Sequence, residues 1–342
     1  MLVLGLETSC DETAAAVVRN GREVLSNVIA TQIDIHAVYG GVVPEIAARS
    51  HIEEVLPVIS EALRIAGVTW NDIDIIAVTA GPGLFGSLLI GTLTARTIAL
   101  LRHKPIYSVN HVVAHTFANF LIGHEPVFPM LSLSASGKHS ELLLFQAPTD
   151  YKLLGSTRDD AAGEAFDKVA RMLGLAYPGG PKIGALAPSG NERKYQLPHA
   201  HLEGSLDFSF SGLKTAVLRK LQTEMGGDFR TLSTQLPTHL TQVQKADMAA
   251  SFQRTVAETL TGQLRRAYDQ YQPKSVVIAG GVSANMRLRE EVSRTIPLDM
   301  HYAPLEYCTD NGAMIASMGY FLAQAGDASD PLSLTTNPSL AI

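Results

Sequence analysis

His111 and His115 stand four apart in the stretch Ser108-Val-Asn-His-Val-Val-Ala-His115. On a helix that spacing puts both imidazoles on one face, with Cβ atoms about 5–6 Å apart, a span suited to holding one metal ion through two nitrogens. The two-histidine helix motif of zinc peptidases carries a glutamate beside its first histidine as general base. Here that neighbour is Val112. A pair without the base suits an ion that binds and polarises a ligand better than one that activates water for peptide hydrolysis. The alternative is a pair of partly buried helix residues with satisfied nitrogens.

Four Gly-, Ser- or Asp-rich turns follow apolar runs, where exposed backbone N–H groups and helix N-termini suit phosphates. Glu7-Thr-Ser-Cys-Asp-Glu-Thr13 offers three hydroxyls and three carboxylates, a set for orienting a metal, water or amine more than for cradling phosphate. Gly81-Pro-Gly-Leu-Phe-Gly86 allows close backbone approach, and equally fits a plain strand-to-helix turn. In Ser136-Gly-Lys-His-Ser140, Lys138 can meet a phosphate as a point charge. Gly280-Gly-Val-Ser-Ala-Asn285 is able to receive a nucleoside, with Asn285 bonding a ribose or base. Each is weak singly; together in one α/β chain they point to a nucleotide site.

Asp167 is either a sugar-hydroxyl acceptor or a surface acid, and Glu164 with Lys168 makes an ordinary helix ion pair. Tyr177-Pro-Gly-Gly-Pro181 is a rigid turn whose bare backbone can lie on a ring. Cys308-Thr-Asp310 opens a helical stretch, where an acid suits the N-terminus. As a third ligand, Asp310 would complete a two-histidine, one-carboxylate set that suits iron or zinc.

The elements that must position these groups are an alternation of strands and helices. Strands are expected at 2–6, 14–18, 74–79, 130–133, 141–145 and 275–279, with helices at 46–66, 87–101, 163–173 and 245–271. This implies an α/β architecture with largely parallel sheets. Two hairpin openings some 125 residues apart suggest a duplicated unit. The expected division is an N-terminal lobe over 1–127 with 310–325 packing back on it, a C-terminal lobe over 128–309, and a loose tail over 326–342.

With 342 residues, 46% hydrophobic and 18% charged, the chain has material for two cores. Its two cysteines, Cys10 and Cys308, argue against a disulfide framework and for a reducing cytosol. Neither a signal peptide nor a membrane span is expected. A net charge of −6 is wrong for a protein that wraps nucleic acid phosphates unaided, so any RNA contact is local or shared with a partner. The small basic groups at 102–104, 265–266 and 287–289 read as solvated helix faces.

Taken together the segments resemble the universal tRNA threonylcarbamoyladenosine transferase family (bacterial TsaD, once called a glycoprotease). The resemblance rests on Glu7–Thr13, His36-Ala-Val-Tyr-Gly-Gly-Val-Val-Pro-Glu45, Thr79–Leu84, His111 with His115, Asp159–Lys168, Asp207–Thr215, Ala279–Asn285 and Cys308–Met314. It implies a two-lobed actin-like ATPase fold (ASKHA), with duplicated mixed-sheet domains and a nucleotide cleft between them. It implies one Fe2+ or Zn2+ per subunit, held by His111, His115 and Asp310. Asp167, Gly180 and Asn285 would hold the adenosine of the donor threonylcarbamoyl-AMP, and Ala135, Ser136, Gly137, Lys138 and His139 would face its phosphate and acyl portion. Asp11 or Glu12 is expected to position the attacking amine. The group would pass to the exocyclic amine of the adenosine beside the anticodon, in tRNAs reading codons that begin with A. The implied partners are tRNA, a shorter paralogue (TsaB-like) and a small ATPase (TsaE-like), in the cytoplasm and without a membrane.

Two positions depart from the family pattern. Lys138 stands where the family has a second glycine; in a left-handed conformation it would be strained by about 1 kcal/mol, and otherwise its ammonium can add a phosphate contact. Gly184 stands where many members carry an acid. Two other functions fit the fold: a small-molecule kinase, which needs magnesium and gives the histidines no role, and a non-catalytic scaffolding paralogue. A peptidase fits least.

Overall fold

The computed structural model describes residues 1–342 apart from 122, 124, 200, 201, 203, 227–232, 234 and 327. The chain divides into two compact units, one of Met1–Met130, Phe145–Lys152 and His301–Ile342, the other of Leu131–Leu144 and Leu153–Met300.

In the first unit, β1 (Leu2–Glu7) pairs antiparallel with β2 (Glu12–Arg19), Glu7 opposite Ala14, as the sequence leads one to expect. Beside β2 runs β3 (Glu23–Thr31), and the chain continues through α1 (Ile33–Ala37) and α2 (Pro44–Ala66). Proline at the first position of α2 and left-handed Gly67 after its last residue set the ends of that helix. Next come β4 (Ile75–Gly81), α3 (Phe85–Arg102) and β5 (Ile106–Asn110), the two strands joining in parallel to give the order β3-β2-β1-β4-β5. Every residue of β4 is buried, because helices cover both faces of the sheet. Leu4, Leu6, Ile76 and Val78 pack with Val55, Ile59 and Ala95 of α2 and α3. The alternate residues meet α11 (Gly312–Ala325), where a Cβ on Gly5 would lie 2.3 Å from the Gly312 carbonyl oxygen. Glycine at both positions thus lets the N-terminal end of α11 rest on strand backbone. Fully burying each such leucine or isoleucine contributes roughly 1.5–3 kcal/mol.

The helix bearing the histidine pair is α4 (His111–Phe117). Ser108 to Asn110, expected within that helix, belong to β5, and the Asn110 side-chain oxygen accepts from the Val112 and Val113 N–H groups at 3.0 and 3.2 Å. A two-carbon amide at the strand end satisfies the first helical donors and so starts the helix at His111.

The second sheet has the order β8-β7-β6-β9, from β6 (Met130–Ala135), β7 (Ser140–Ala147), β8 (Asp150–Ser156) and β9 (Ser275–Ala279). Its third-second-first-fourth arrangement repeats the first four strands of the other sheet, in line with duplication. The helices α5 (Ala162–Met172), α6 (Gly179–Leu186), α7 (Ser211–Glu224), α8 (Gln242–Tyr271) and α9 (Met286–Thr295) accompany it. A reciprocal Thr241–Gln244 cap starts α8 three residues before the periodicity suggests. In the first unit, α10 (Leu305–Cys308) leads into α11.

The tail is not loose. Ser329 donates to Ile106, Asn337 to Ala80, Gly83 to Pro338, and the Asn110 amide to Ala341, while Arg96 grips the Pro331 and Leu332 carbonyls. Polar composition suggested solvation, but backbone groups of the tail complete the ends of β4 and β5. Among the described residues α3 alone is long and apolar enough to cross a membrane; its Leu88 is buried, and its Ala95 and Ala99 pack in the core with the sheet and α2.

Candidate metal centre

Close packing of α11 on β1 and β2 carries the loop before it, with Asp310, to the open end of α4. A Cβ on Gly312 would stand 2.6 Å from the Ala15 backbone, so only glycine permits this approach. The Asn311 side chain caps α11 through the Met314 N–H at 2.9 Å and donates to the Thr309 carbonyl at 2.7 Å, fixing the residue next to Asp310. On the other side, the Phe117 ring lies 5.5 Å from that of Phe321, anchoring α4 to α11.

Asp310 Oδ1 consequently lies 3.3 Å from His115 Nε2 and 3.6 Å from His111 Nε2, and one ligand atom from each residue falls within 4.8 Å of the others. His115 is 1% exposed, yet neither of its ring nitrogens has a hydrogen-bond partner. Buried nitrogens that make no hydrogen bond are costly unless something else binds them. With two imidazoles and a carboxylate facing one point, this donor set fits a divalent iron or zinc ion.

The first turn surrounds the same histidines. Glu7 ends β1 wholly buried; its Oε1 accepts from the Ser9 N–H at 2.5 Å, and its Oε2 from the Thr79 hydroxyl at 2.6 Å and His111 Nδ1 at 3.1 Å. Burial pushes the Glu7 carboxyl up, but the His111 charge and hydrogen bonds from His111 and Ser9 prevail and hold it below its ordinary value. The turn is further fixed from α2, where His51 binds the Thr13 hydroxyl at 2.7 Å and the Cys10 carbonyl at 3.0 Å. Burial lowers the pKa of His51, leaving it the neutral imidazole that can serve both partners.

Asp11 and Glu12 lie near enough to Asp310 to feel its charge. Burial first, then the Asp310 charge, raises Asp11. Glu12 is pushed up to about 8, again by burial first and then by Asp11 and Asp310. Glu12 accepts from the Thr31 hydroxyl at 3.0 Å through Oε1, and its buried Oε2 has no partner.

The remaining expected ligand residues lie in the second unit. The Ser136 N–H donates to the His139 carbonyl at 2.8 Å, closing the turn between β6 and β7. That turn rests on the start of α5: the Gly163 N–H donates to the Ser136 carbonyl at 3.1 Å, and a Cβ on Gly163 would stand 2.5 Å from the same oxygen. Gly280, at φ +79°, approaches the Ala135 carbonyl so closely that a Cβ would lie 2.4 Å away. Ala135 to His139, Gly163 and Gly280 therefore come together. Lys138 is exposed and its φ is not in the left-handed region, so the strain considered for it does not arise.

Asp167 accepts from the Gly179 N–H at 2.7 Å, which sets Gly180 beside it with nothing near the face where a Cβ would stand. Asn285 caps α9 through the Leu288 N–H at 3.2 Å and donates to Gln253 at 3.1 Å. Gln253 is in turn 3.7 Å from where a Gly184 Cβ would sit. Asp167 and Asn285 thus each have a structural partner in addition to any ligand. Lys168 pairs with Glu164 as expected, and also with Asp160, which Lys214 shares at 2.9 Å. Arg287 and Arg265 of the basic groups are paired with acids.

Sequence reasoning missed the individual roles of Glu7, Thr79 and His51. Glu7 could have been singled out, since it continues an apolar strand by one residue and must therefore be buried.

The sequence profile of the tRNA N6-adenosine threonylcarbamoyltransferases (TsaD) matches residues 23–317. A protein named as that transferase from Symbiobacterium thermophilum is 50% identical, over 100% of this chain and 97% of its own. One of the same name from Thermomicrobium roseum is 49% identical, over 96% and 94%. In fold the chain is similar to HypF of T. kodakarensis (TM-score 0.60, 16% identity, 94% of this chain and 48% of that one). It is also similar to component A of the Acidaminococcus fermentans (R)-2-hydroxyglutaryl-CoA dehydratase (TM-score 0.52, 16% identity, 95% and 99%).

Proposed function

The chain belongs to the tRNA N6-adenosine threonylcarbamoyltransferase family, and from that premise we propose how its side chains divide the reaction. It is an acyltransferase that modifies tRNA, on the actin-like fold. The proposed donor is threonylcarbamoyl-AMP, and the acceptor the exocyclic amine of the adenosine beside the anticodon in tRNAs reading codons that begin with A. In the transfer, the amine nitrogen bonds to the carbonyl carbon, the carbon–oxygen bond to phosphate breaks, and AMP leaves with the electron pair.

His111, His115 and Asp310 would hold an iron or zinc ion; their convergence within 4.8 Å, with the buried His115 nitrogens making no hydrogen bond, is the observation that carries this reading. Such an ion supplies Lewis acidity toward the mixed anhydride. Asp11 or Glu12 positions the amine and takes its proton. Glu12 is the better acceptor, because its buried Oε2 has no hydrogen-bond partner. The turn from Ala135 to His139 faces the phosphate and acyl portion, with Asp167, Gly180 and Asn285 on the adenosine.

A protein partner is supported by an apolar surface on two helices that pack together, Gly86 of α3 against Ala48 of α2. Ile52 and Leu56 of α2 and Phe85 and Leu93 of α3 are exposed there. A shorter paralogue of the same fold is the proposed occupant, with a small ATPase as third component. Sharing the RNA surface with them reconciles a net charge of −6 with a tRNA substrate. Two cysteines that form no disulfide are in keeping with a cytoplasmic enzyme.

The test combines the chain with threonine, bicarbonate, ATP, unmodified tRNA and the partner enzymes. Modified adenosine is expected from the wild type and not from His111→Ala/His115→Ala, which should also lose its bound metal. No product beside a competent positive control rejects the proposal.

A further inference from the structure

We infer that Glu7 is a positioning residue for the metal centre: by holding His111 Nδ1 it presents Nε2 to the ion. The inference rests on the metal reading above and adds a residue that does not itself face the ion.

Three donors from three elements converge on this one carboxylate: the Ser9 N–H from the turn after β1, the Thr79 hydroxyl from β4, and His111 from α4. Among the described residues the one ion pair Glu7 makes is with His111; no lysine or arginine approaches it. A fully buried carboxylate without a basic side chain needs positive charge nearby. Opposite a carboxylate, His111 Nδ1 carries the proton, so the lone pair is on Nε2, the nitrogen that faces Asp310 at 3.6 Å. The Ser9 hydroxyl, 3.2 Å from the same Nδ1, adds a second contact that keeps the ring from turning. His115 has no such support, its nitrogens lacking hydrogen-bond partners, so ring orientation through an outer carboxylate falls to His111 alone.

Metal-free protein is titrated with Zn2+ against a chromophoric chelator, and with Co2+ followed by its visible spectrum. Glu7→Gln keeps the shape and removes the charge; it should weaken Zn2+ about 10–100-fold, the usual effect of losing an outer-shell carboxylate. Thr79→Val, which strips one donor from Glu7 without touching a histidine, should weaken Zn2+ by less. Folded Glu7→Gln protein that binds Zn2+ as the wild type does, even if it melts earlier, overturns the inference, because a merely structural carboxylate changes melting and not affinity. If Glu7→Gln does not fold, Thr79→Val decides: weaker Zn2+ binding supports the inference and unchanged binding overturns it. Wild-type protein that takes up neither ion overturns the metal reading itself, and this inference with it.

Discussion

Gly163→Ala is the most informative single change outside the metal centre. Gly163 is the second residue of α5, where alanine alone would favour the helix by about 1 kcal/mol. The added Cβ, however, would stand 2.5 Å from the Ser136 oxygen, 2.8 Å from its carbonyl carbon and 2.7 Å from Gly137 Cα. All three are backbone atoms, so no side chain can swing aside. Ordinary contact begins near 3.4 Å, so the turn must move by 3.4 minus 2.5, about 0.9 Å, relative to α5. Overpacking of this kind costs about 1–3 kcal/mol, which outweighs the helix gain or at best cancels it. The catalytic effect is larger, because displacing a reacting group by about 1 Å can lower the rate roughly 100-fold. Single-turnover transfer from pre-formed donor to tRNA should slow accordingly, while bound metal stays constant because its three ligands lie in the other unit. A variant that transfers at the wild-type rate, with unfolding data showing the strain, would refute the placement of the donor on this turn.

Glu141 of β7 is 9% exposed, its Oε2 has no partner, and burial pushes its carboxyl up to about 7 from 4.5. The folded chain therefore holds a proton that the unfolded chain releases: stability from this group is complete below about 4.5 and lost as pH rises through about 7, roughly 3 kcal/mol in all. In Glu141→Gln that loss should vanish, and urea midpoints that run parallel for both proteins across this range would rule it out. For Lys138→Gly, an exposed site without strain, stability should change by about 0.5 kcal/mol or less while the KM for donor rises; an unchanged KM would remove the phosphate contact.

The sequence shows local chemistry well and long-range placement poorly. The hairpins, β4, α2 and the histidine pair follow from apolar periodicity over a few residues. Asp310 was assigned beside His111 and His115 through family resemblance; nothing in its own neighbourhood points to α4. The physical cause is the glycine contact between Gly5 and Gly312, legible only once β1 and α11 are known to touch. Three strands were passed over for different reasons. β3 has an exposed, irregular face, β5 is five residues long, and β8 is mostly solvated. Contacts made through main-chain carbonyls, such as those of Arg96 with Pro331 and Leu332, carry no side-chain signature and so escaped notice. Asn285 shows the converse: a residue read only for its ligand chemistry also starts a helix.

Because residues 301–342 complete the first unit, the three proposed metal ligands have a birth order. The two histidines emerge during synthesis 195 residues before Asp310 (310 minus 115), which at about 5–20 residues per second is a delay of roughly 10–40 s. Until α11 arrives, the face of β1 and β4 that it covers is bare and the histidines have no carboxylate from that side. A polypeptide that stops before Asp310 therefore lacks the third of the proposed ligands.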